Sequence, residues 1–148
     1  MNLVLISADE VDSAGFVRLE DVRATHLLRV LRIVEAQEVR VGLIDGNAGV
    51  GTVVAHDAQS VTLRCAFTET VPVPAIDLLL ALPRPKVLRR LWAQIAALGV
   101  RRVMLTNAER VERNYFDTHF LSPEIYRPLL LEGLQQARDT HVPAVSIH

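Results

Sequence analysis

Apolar and polar positions change rhythm near the middle of this chain. Leu3-Val4-Leu5-Ile6 opens it as a short apolar run of strand type. Between Asp21 and Leu31, the apolar residues Val22, Leu27, Leu28 and Leu31 fall at helical spacing, which predicts a helix with that side toward a core. Val39–Leu43 alternates at period two. Asp45-Gly46-Asn47-Ala48-Gly49 then reads as a turn, since Gly and Asn tolerate positive φ. Val50–Ala55 and Val61–Phe67 follow as strands on either side of a polar turn at Asp57–Ser60. Many short strands with glycine-rich turns around one helix predict a small β-barrel over residues 1–72.

Val71-Pro72-Val73-Pro74-Ala75 breaks the pattern. Two alternate prolines favour an extended, stiff segment, so residues 71–75 read as a linker. Beyond it, Ile76–Leu82 is a nearly unbroken apolar run, as expected of a strand covered on both faces. Pro83-Arg84-Pro85-Lys86 is a tight loop. Leu88, Leu91, Trp92, Ile95 and Leu98 form a helical stripe that Gly99 stops, and Val103-Met104-Leu105 is a second buried strand. Ser122 and Pro123 suit the start of a further helix, although Pro128 implies a kink or a later start. Strand, helix, strand, helix over residues 76–148 predicts a parallel α/β unit, so the fold class is mixed.

Composition narrows the function. Half of the 148 residues are hydrophobic, enough for a core, and no apolar run reaches the roughly 18 residues of a membrane span. The first residues lack the marks of a signal peptide, and the lone Cys65 cannot form an internal disulfide; both fit a cytoplasmic protein. Five scattered histidines and one cysteine give no metal-ligand spacing, and no glycine-rich phosphate loop or nucleophile elbow is present. The net charge of −1 hides an asymmetry. Residues 1–75 carry six Arg against ten acidic residues, whereas residues 76–148 carry nine Arg and one Lys against seven. The second half is the better partner for an anion, or else simply a solvated charged surface.

Three clusters could carry chemistry. On a helix, His26, Arg29 and Arg32 advance by threes; their guanidinium groups can fork onto phosphate, or merely complement the helix dipole. Arg84 and Lys86 follow a buried strand and open a helix, where open α/β sheets bind ligands; the alternative is an exposed, solubilising helix start. Arg89, Arg90, Arg101 and Arg102 add charge nearby in sequence. Gln136 and Arg138 belong to a polar helix end that can reach a substrate or serve as a cap.

Taken in order, these segments resemble the RsmE-type family that methylates N3 of a uridine in small-subunit ribosomal RNA, part of the SPOUT, or trefoil-knot, superfamily. His26–Arg32 with Asp45–Gly49 is similar to that family's N-terminal domain. Leu79–Lys86 with Leu98-Gly99-Val100 is similar to the opening of its methyltransferase domain, and Gln136 with Val142-Pro143 to a later segment. The chain departs from the family at Gln94 and Ala97 (usually Lys and Glu), at Gln135-Gln136 (usually Glu-Gln), and at Asp139 (usually Arg, here one place earlier as Arg138). The resemblance implies a PUA-like RNA-binding β-barrel at 1–72 and the N-terminal part of a SPOUT domain at 76–148. It also implies S-adenosylmethionine as methyl donor, ribosomal RNA or the assembled small subunit as partner, and a homodimeric parent. The family's Gly-Pro-Glu-Gly-Gly-type loop and cofactor knot do not occur in these residues, so a fragment without the cofactor site, inactive alone, is expected. Two competing readings stand beside it: an RNA-binding module without catalysis, and an unrelated two-domain protein with a small-molecule site.

Overall fold

A computed structural model describes residues 1–148. They divide into two compact units, Met1–Val71 and Pro72–His148.

The first unit is a five-stranded sheet with one α-helix. In chain order it contains β1 (Val4–Ile6), a 3-10 turn (Ala8–Glu10), β2 (Phe16–Leu19), α1 (Val22–Arg29), β3 (Glu38–Leu43), β4 (Ala48–His56) and β5 (Val61–Glu69). Strand order is β1-β3-β4-β5-β2; β1 runs parallel to β3 and the other pairs are antiparallel. The ladder therefore ends at β1 and β2 rather than closing between them. Two bulges in the β4–β5 pair, the first with its extra residue on β5 and the second on β4, bend the sheet, since an extra residue on one strand increases local twist. Val4, Ile6, Val17, Leu19, Leu27, Val41 and Leu63 fill the core.

Two local expectations need correction here. The helix covers Val22–Arg29, ending two residues before Leu31, and Val22 and Leu31 are exposed while Leu27 is fully buried. Asp21 starts it by accepting a hydrogen bond from Arg23 N–H. The Asp45 turn also works differently: Asp45 itself has the positive φ, and Gly49 lies in β4. Gly49 is required by a close backbone approach, because a Cβ there would stand 1.8 Å from the Ala66 carbonyl oxygen.

The second unit contains β6 (Ile76–Ala81), α2 (Pro85–Ala97), β7 (Val100–Thr106), α3 (Pro123–Ala137) and β8 (Ala144–Ile147), with two 3-10 turns between β7 and α3. The sheet is parallel, in the order β6-β7-β8. α2 and α3 pack on each other, and Gly133 makes this possible: a Cβ there would stand 2.0 Å from the Ala93 carbonyl oxygen. Trp92 is fully buried, donates from its indole N–H to the Phe120 carbonyl at 3.0 Å and packs against Tyr126.

Three expectations fail in this unit. β6 is not covered on both faces, because it is an edge strand and Ile76 and Leu79 are about two-thirds exposed. Leu98 leaves the buried stripe of α2 because it caps the helix, next to Gly99 at φ 75°. Pro128 does not delay α3, which starts at Pro123 and continues to Ala137. Pro128 is exposed in the second turn, so the carbonyl that loses its N–H partner can turn toward water.

Candidate nucleic-acid interface

In a parallel sheet the carboxyl ends of all strands lie along one edge. Here Leu82 N–H donates to the Thr106 carbonyl at 2.9 Å, tying the end of β6 to the end of β7. Buried Leu82 anchors the turn into α2. Arg84 has extended backbone at the N-cap, and Pro85 begins the helix, where its missing N–H costs nothing. Arg84 and Lys86 are both exposed and neither is in an ion pair. The first turn of α2 holds no acidic residue. Two cations at the positive end of a helix oppose its dipole, on the order of 0.3–1 kcal/mol each. They do not stabilise α2, and because Val87 and Leu88 N–H both bond to the Arg84 carbonyl and Pro85 has no N–H, it is chiefly these two side chains that this turn offers to an anion.

The structure adds residues to this edge that the sequence pattern did not single out. The connection after β7 begins with Asn107-Ala108-Glu109-Arg110, all exposed, and Arg110 likewise has no ion-pair partner. The signal that would have found them is positional: each loop following a parallel strand reaches the same edge.

Gln136 and Arg138 do not join this group. They lie at the C-terminal end of α3, which runs from the carboxyl edge of the sheet back to the amino edge over about 22 Å at 1.5 Å per residue. Arg138 is the left-handed cap of α3 at φ 61°, its N–H bonded to the Leu134 carbonyl. The Asp139 carboxylate then accepts from the N–H groups of Thr140 and His141 at 2.7 and 3.0 Å, so this segment is a capping turn leading into β8. Arg101 and Arg102 are also at the amino edge. Both grip Asp77, and their hydrogen bonds hold its carboxyl well below the usual range.

In the first unit, His26 and Arg29 lie on α1, but Arg32 does not. It follows the helix in a left-handed conformation, φ 51°, so the three-residue spacing does not align it with the others. Arg29 and Arg32 are exposed and unpaired. Arg23, by contrast, is structural. It donates to the Leu5 carbonyl at 2.8 Å, to Glu10 at 2.5 Å and to Asp21 at 2.7 Å, stitching α1 to β1 and the following turn. His26 lines a small open cavity of about 150 Å³, where the amino ends of β1 and β3 meet α1, and its Nε2 is buried with no hydrogen-bond partner. No cluster of three or more His, Cys, Asp or Glu side chains is placed to hold a metal, and no helix is long and apolar enough to cross a membrane.

The free cations Arg84, Lys86 and Arg110 all fall within residues 69–148, which match the model of a family described as RNA methyltransferase domain. The chain belongs to this family. Among curated relatives of this chain is ribosomal RNA small subunit methyltransferase E of Treponema pallidum, 28% identical across 99% of the chain and 56% of the relative. Ribosomal RNA small subunit methyltransferase E 1 of Borreliella burgdorferi is 23% identical, with 99% and 61% covered. The chain thus spans somewhat more than half the length of these relatives. Among solved structures, a probable rRNA methyltransferase from Porphyromonas gingivalis superposes with a TM-score of 0.73 at 19% identity, covering 98% of this chain and 60% of that one. A ribosomal RNA small subunit methyltransferase E from Neisseria gonorrhoeae, bound to S-adenosylmethionine, gives 0.69 at 18% identity, with 99% and 62% covered. These superpositions show that the mixed α/β fold is shared.

Proposed function

We propose that the chain is the RNA-gripping portion of a methyltransferase acting on small-subunit ribosomal RNA, with N3 of a uridine as acceptor and S-adenosylmethionine as donor. The observation that carries this reading is the pair Arg84 and Lys86, unpaired cations at the positive end of α2, within the segment that matches the family model. The fold shared with the Neisseria protein and the names of the curated relatives support the substrate and donor. Unit 1 is read as a PUA-like barrel left open between β1 and β2, whose sheet and unpaired Arg29 and Arg32 meet RNA backbone. Residues 1–72 and 76–148 then act as an RNA-binding and a substrate-placing domain, and the partner is ribosomal RNA or the assembled small subunit.

The donor supplies an electrophilic methyl group when bound. The grooved surface of α2 and α3 is a poor seat for it. That groove is open and lined by Arg89 and Arg90 alongside Ala93, Gln94, Leu129 and Glu132, and two guanidinium groups repel a sulfonium. That groove is therefore not read as the donor's site. What this chain's residues do is position: Arg84, Lys86 and Arg110 hold phosphates at the sheet edge, fixing a strand from which the target uridine is unstacked. By themselves these 148 residues are read as binding RNA without catalysis.

The test is binding of the chain to small-subunit ribosomal RNA as salt rises from about 50 to 200 mM, where counterion release weakens phosphate contacts steeply. The double variant Arg84→Ala/Lys86→Ala is expected to weaken binding and reduce the slope of log K against log salt by roughly two contacts' share. An unchanged slope in a folded double variant removes these residues from the interface. N3-methyluridine that persists in small-subunit RNA after disruption of the gene overturns the assigned reaction.

A further inference from the structure

The cavity beside His26 has no part in the backbone grip described above, and its lining is unlike a packing defect. Leu3, Val4, Leu27 and Val39 supply apolar walls, while His26, Gln37 and Glu38 bring polar groups. A void in a core is apolar and stays empty; one with polar groups takes water or a ligand. Two of these groups have unused hydrogen-bonding capacity. His26 Nε2 is buried without a partner, which is unfavourable unless something pairs with it. Gln37 uses its Oε1 to accept from Val34 N–H at 3.1 Å, leaving its amide N–H groups unpaired. The Glu38 carboxylate is exposed and adds an acceptor with no ion-pair partner.

Size limits the occupant. At about 150 Å³ the cavity matches the volume that accepts a benzene-sized ring. One six-membered ring fits; a run of stacked bases does not. Its position selects among rings. Leu31 lines the cavity and is followed directly by exposed, unpaired Arg32, with Arg29 two residues before it at the end of α1. A ring carrying a phosphate on each side would place its charge among these guanidinium groups.

We propose that this cavity is a pocket for one unstacked pyrimidine base of the bound RNA, read through Gln37, His26 and Glu38. The inference rests on the RNA-binding reading of this chain and adds a base contact to its backbone contacts. A uracil edge offers an N–H donor between two carbonyl acceptors, which match the Glu38 carboxylate and the Gln37 amide. Flipped bases are held in this way, by hydrogen bonds to the edge and apolar contact on the faces.

The experiment compares two single-stranded RNAs of equal length and charge, one of uridines and one abasic, bound to the 148-residue chain. The uridine oligomer is expected to bind about tenfold more tightly, as one read base adds the equivalent of a well-placed polar contact. Gln37→Glu keeps the acceptor for Val34 N–H and removes the donors; Leu31→Trp fills the pocket from a residue that is already half exposed. Each is expected to abolish the tenfold preference, with the fold verified by circular dichroism. Arg29→Ala is expected to weaken both oligomers equally and to keep the preference. Equal affinity of the wild-type chain for both oligomers, or a preference that survives in both pocket variants, overturns the pocket while leaving the RNA-binding reading in place. Failure to bind either oligomer overturns both. Micromolar binding of free uridine, undiminished by Arg29→Ala, assigns the pocket to a small molecule instead and overturns the proposal.

Discussion

Replacing Gly133 by alanine tests the packing that aligns α2 with α3. The added Cβ would stand 2.0 Å from the Ala93 carbonyl oxygen, 2.8 Å from its carbon and 2.9 Å from Ala93 Cα. All three are backbone atoms, so no side chain can rotate away. To reach an ordinary contact of 3.4 Å, the helices must part by roughly 1.4 Å at this point, which also opens gaps beside Leu88, Leu130 and Leu134. Overpacking of this kind typically costs about 1–3 kcal/mol, and a rigid backbone neighbour puts this site at the upper end. Opposing it is the better helix propensity of alanine, about 1 kcal/mol. The net expectation is a loss of about 1–2 kcal/mol, a drop in the urea midpoint of very roughly 0.5–1 M for a unit of this size. Trp92 is the natural reporter: it is the chain's single tryptophan, fully buried in α2, with its ring centroid 4.9 Å from that of Tyr126 on α3. Glu132→Ala, at an exposed neighbouring position, serves as a control expected to stay within about 0.5 kcal/mol. A Gly133→Ala midpoint equal to or above wild type would refute the claim that this glycine sets the distance between the helices.

Arg23→Ala should cost unit 1 about 1–3 kcal/mol, between the values for exposed and buried ion pairs, because the Arg23 side chain is 16% exposed and Glu10 31%. The hydrogen bonds from Arg23 outweigh burial and hold the Glu10 and Asp21 carboxyls below their ordinary values near 4.5 and 3.8. Their stabilisation is therefore complete above those values and lost as pH falls through the lower folded ones, so wild type and variant should converge in acid; a gap that widens below pH 4 contradicts this. Burial pushes the Cys65 thiol up to about 11, so alkylation at pH 8 should be slow in the folded chain and fast in urea; equal rates would show an accessible thiolate. Arg138→Gly should stabilise α3 by up to about 1 kcal/mol by relieving a left-handed arginine, with RNA affinity unchanged; a clear loss of affinity would return Arg138 to the interface.

Periodicity located most of the elements because each has one buried side. The stripe Leu88, Trp92 and Ile95 was readable, as were the alternation of Val39 and Val41 and the paired strands on either side of Asp57. The misreadings share one physical cause: apolar character does not report what covers a residue. Val22, Leu31, Leu79 and Leu98 are as hydrophobic as their buried neighbours, yet they lie on a helix start, past a helix end, on an edge strand and at a cap. Gly49 and Gly133 show the same limit from the other side. One resembles a turn glycine and the other a helix defect, but each exists because another stretch of backbone passes within reach of its missing Cβ, which only the tertiary structure reveals.

For the interface, a list of basic residues is a poor guide until each charge is followed to its partner. Arg101 and Arg102 look like an anion site in sequence, but both are committed to Asp77. Arg23 is no more available, being bound by Glu10 and Asp21. Among the cations left without an ion pair are Arg84, Lys86 and Arg110 at the carboxyl edge of the second unit, and Arg29 and Arg32 beside the pocket of the first. The two sets differ in what they cost the fold. Arg84 and Lys86 oppose the dipole of α2, and Arg32 holds a left-handed conformation that few side chains adopt, whereas Arg29 at a helix C-terminus is favourable without any ligand. Local stability therefore accounts for Arg29 but not for Arg84, Lys86 or Arg32, and under the proposed function these three are the positions where a bound phosphate would account for what the fold by itself does not.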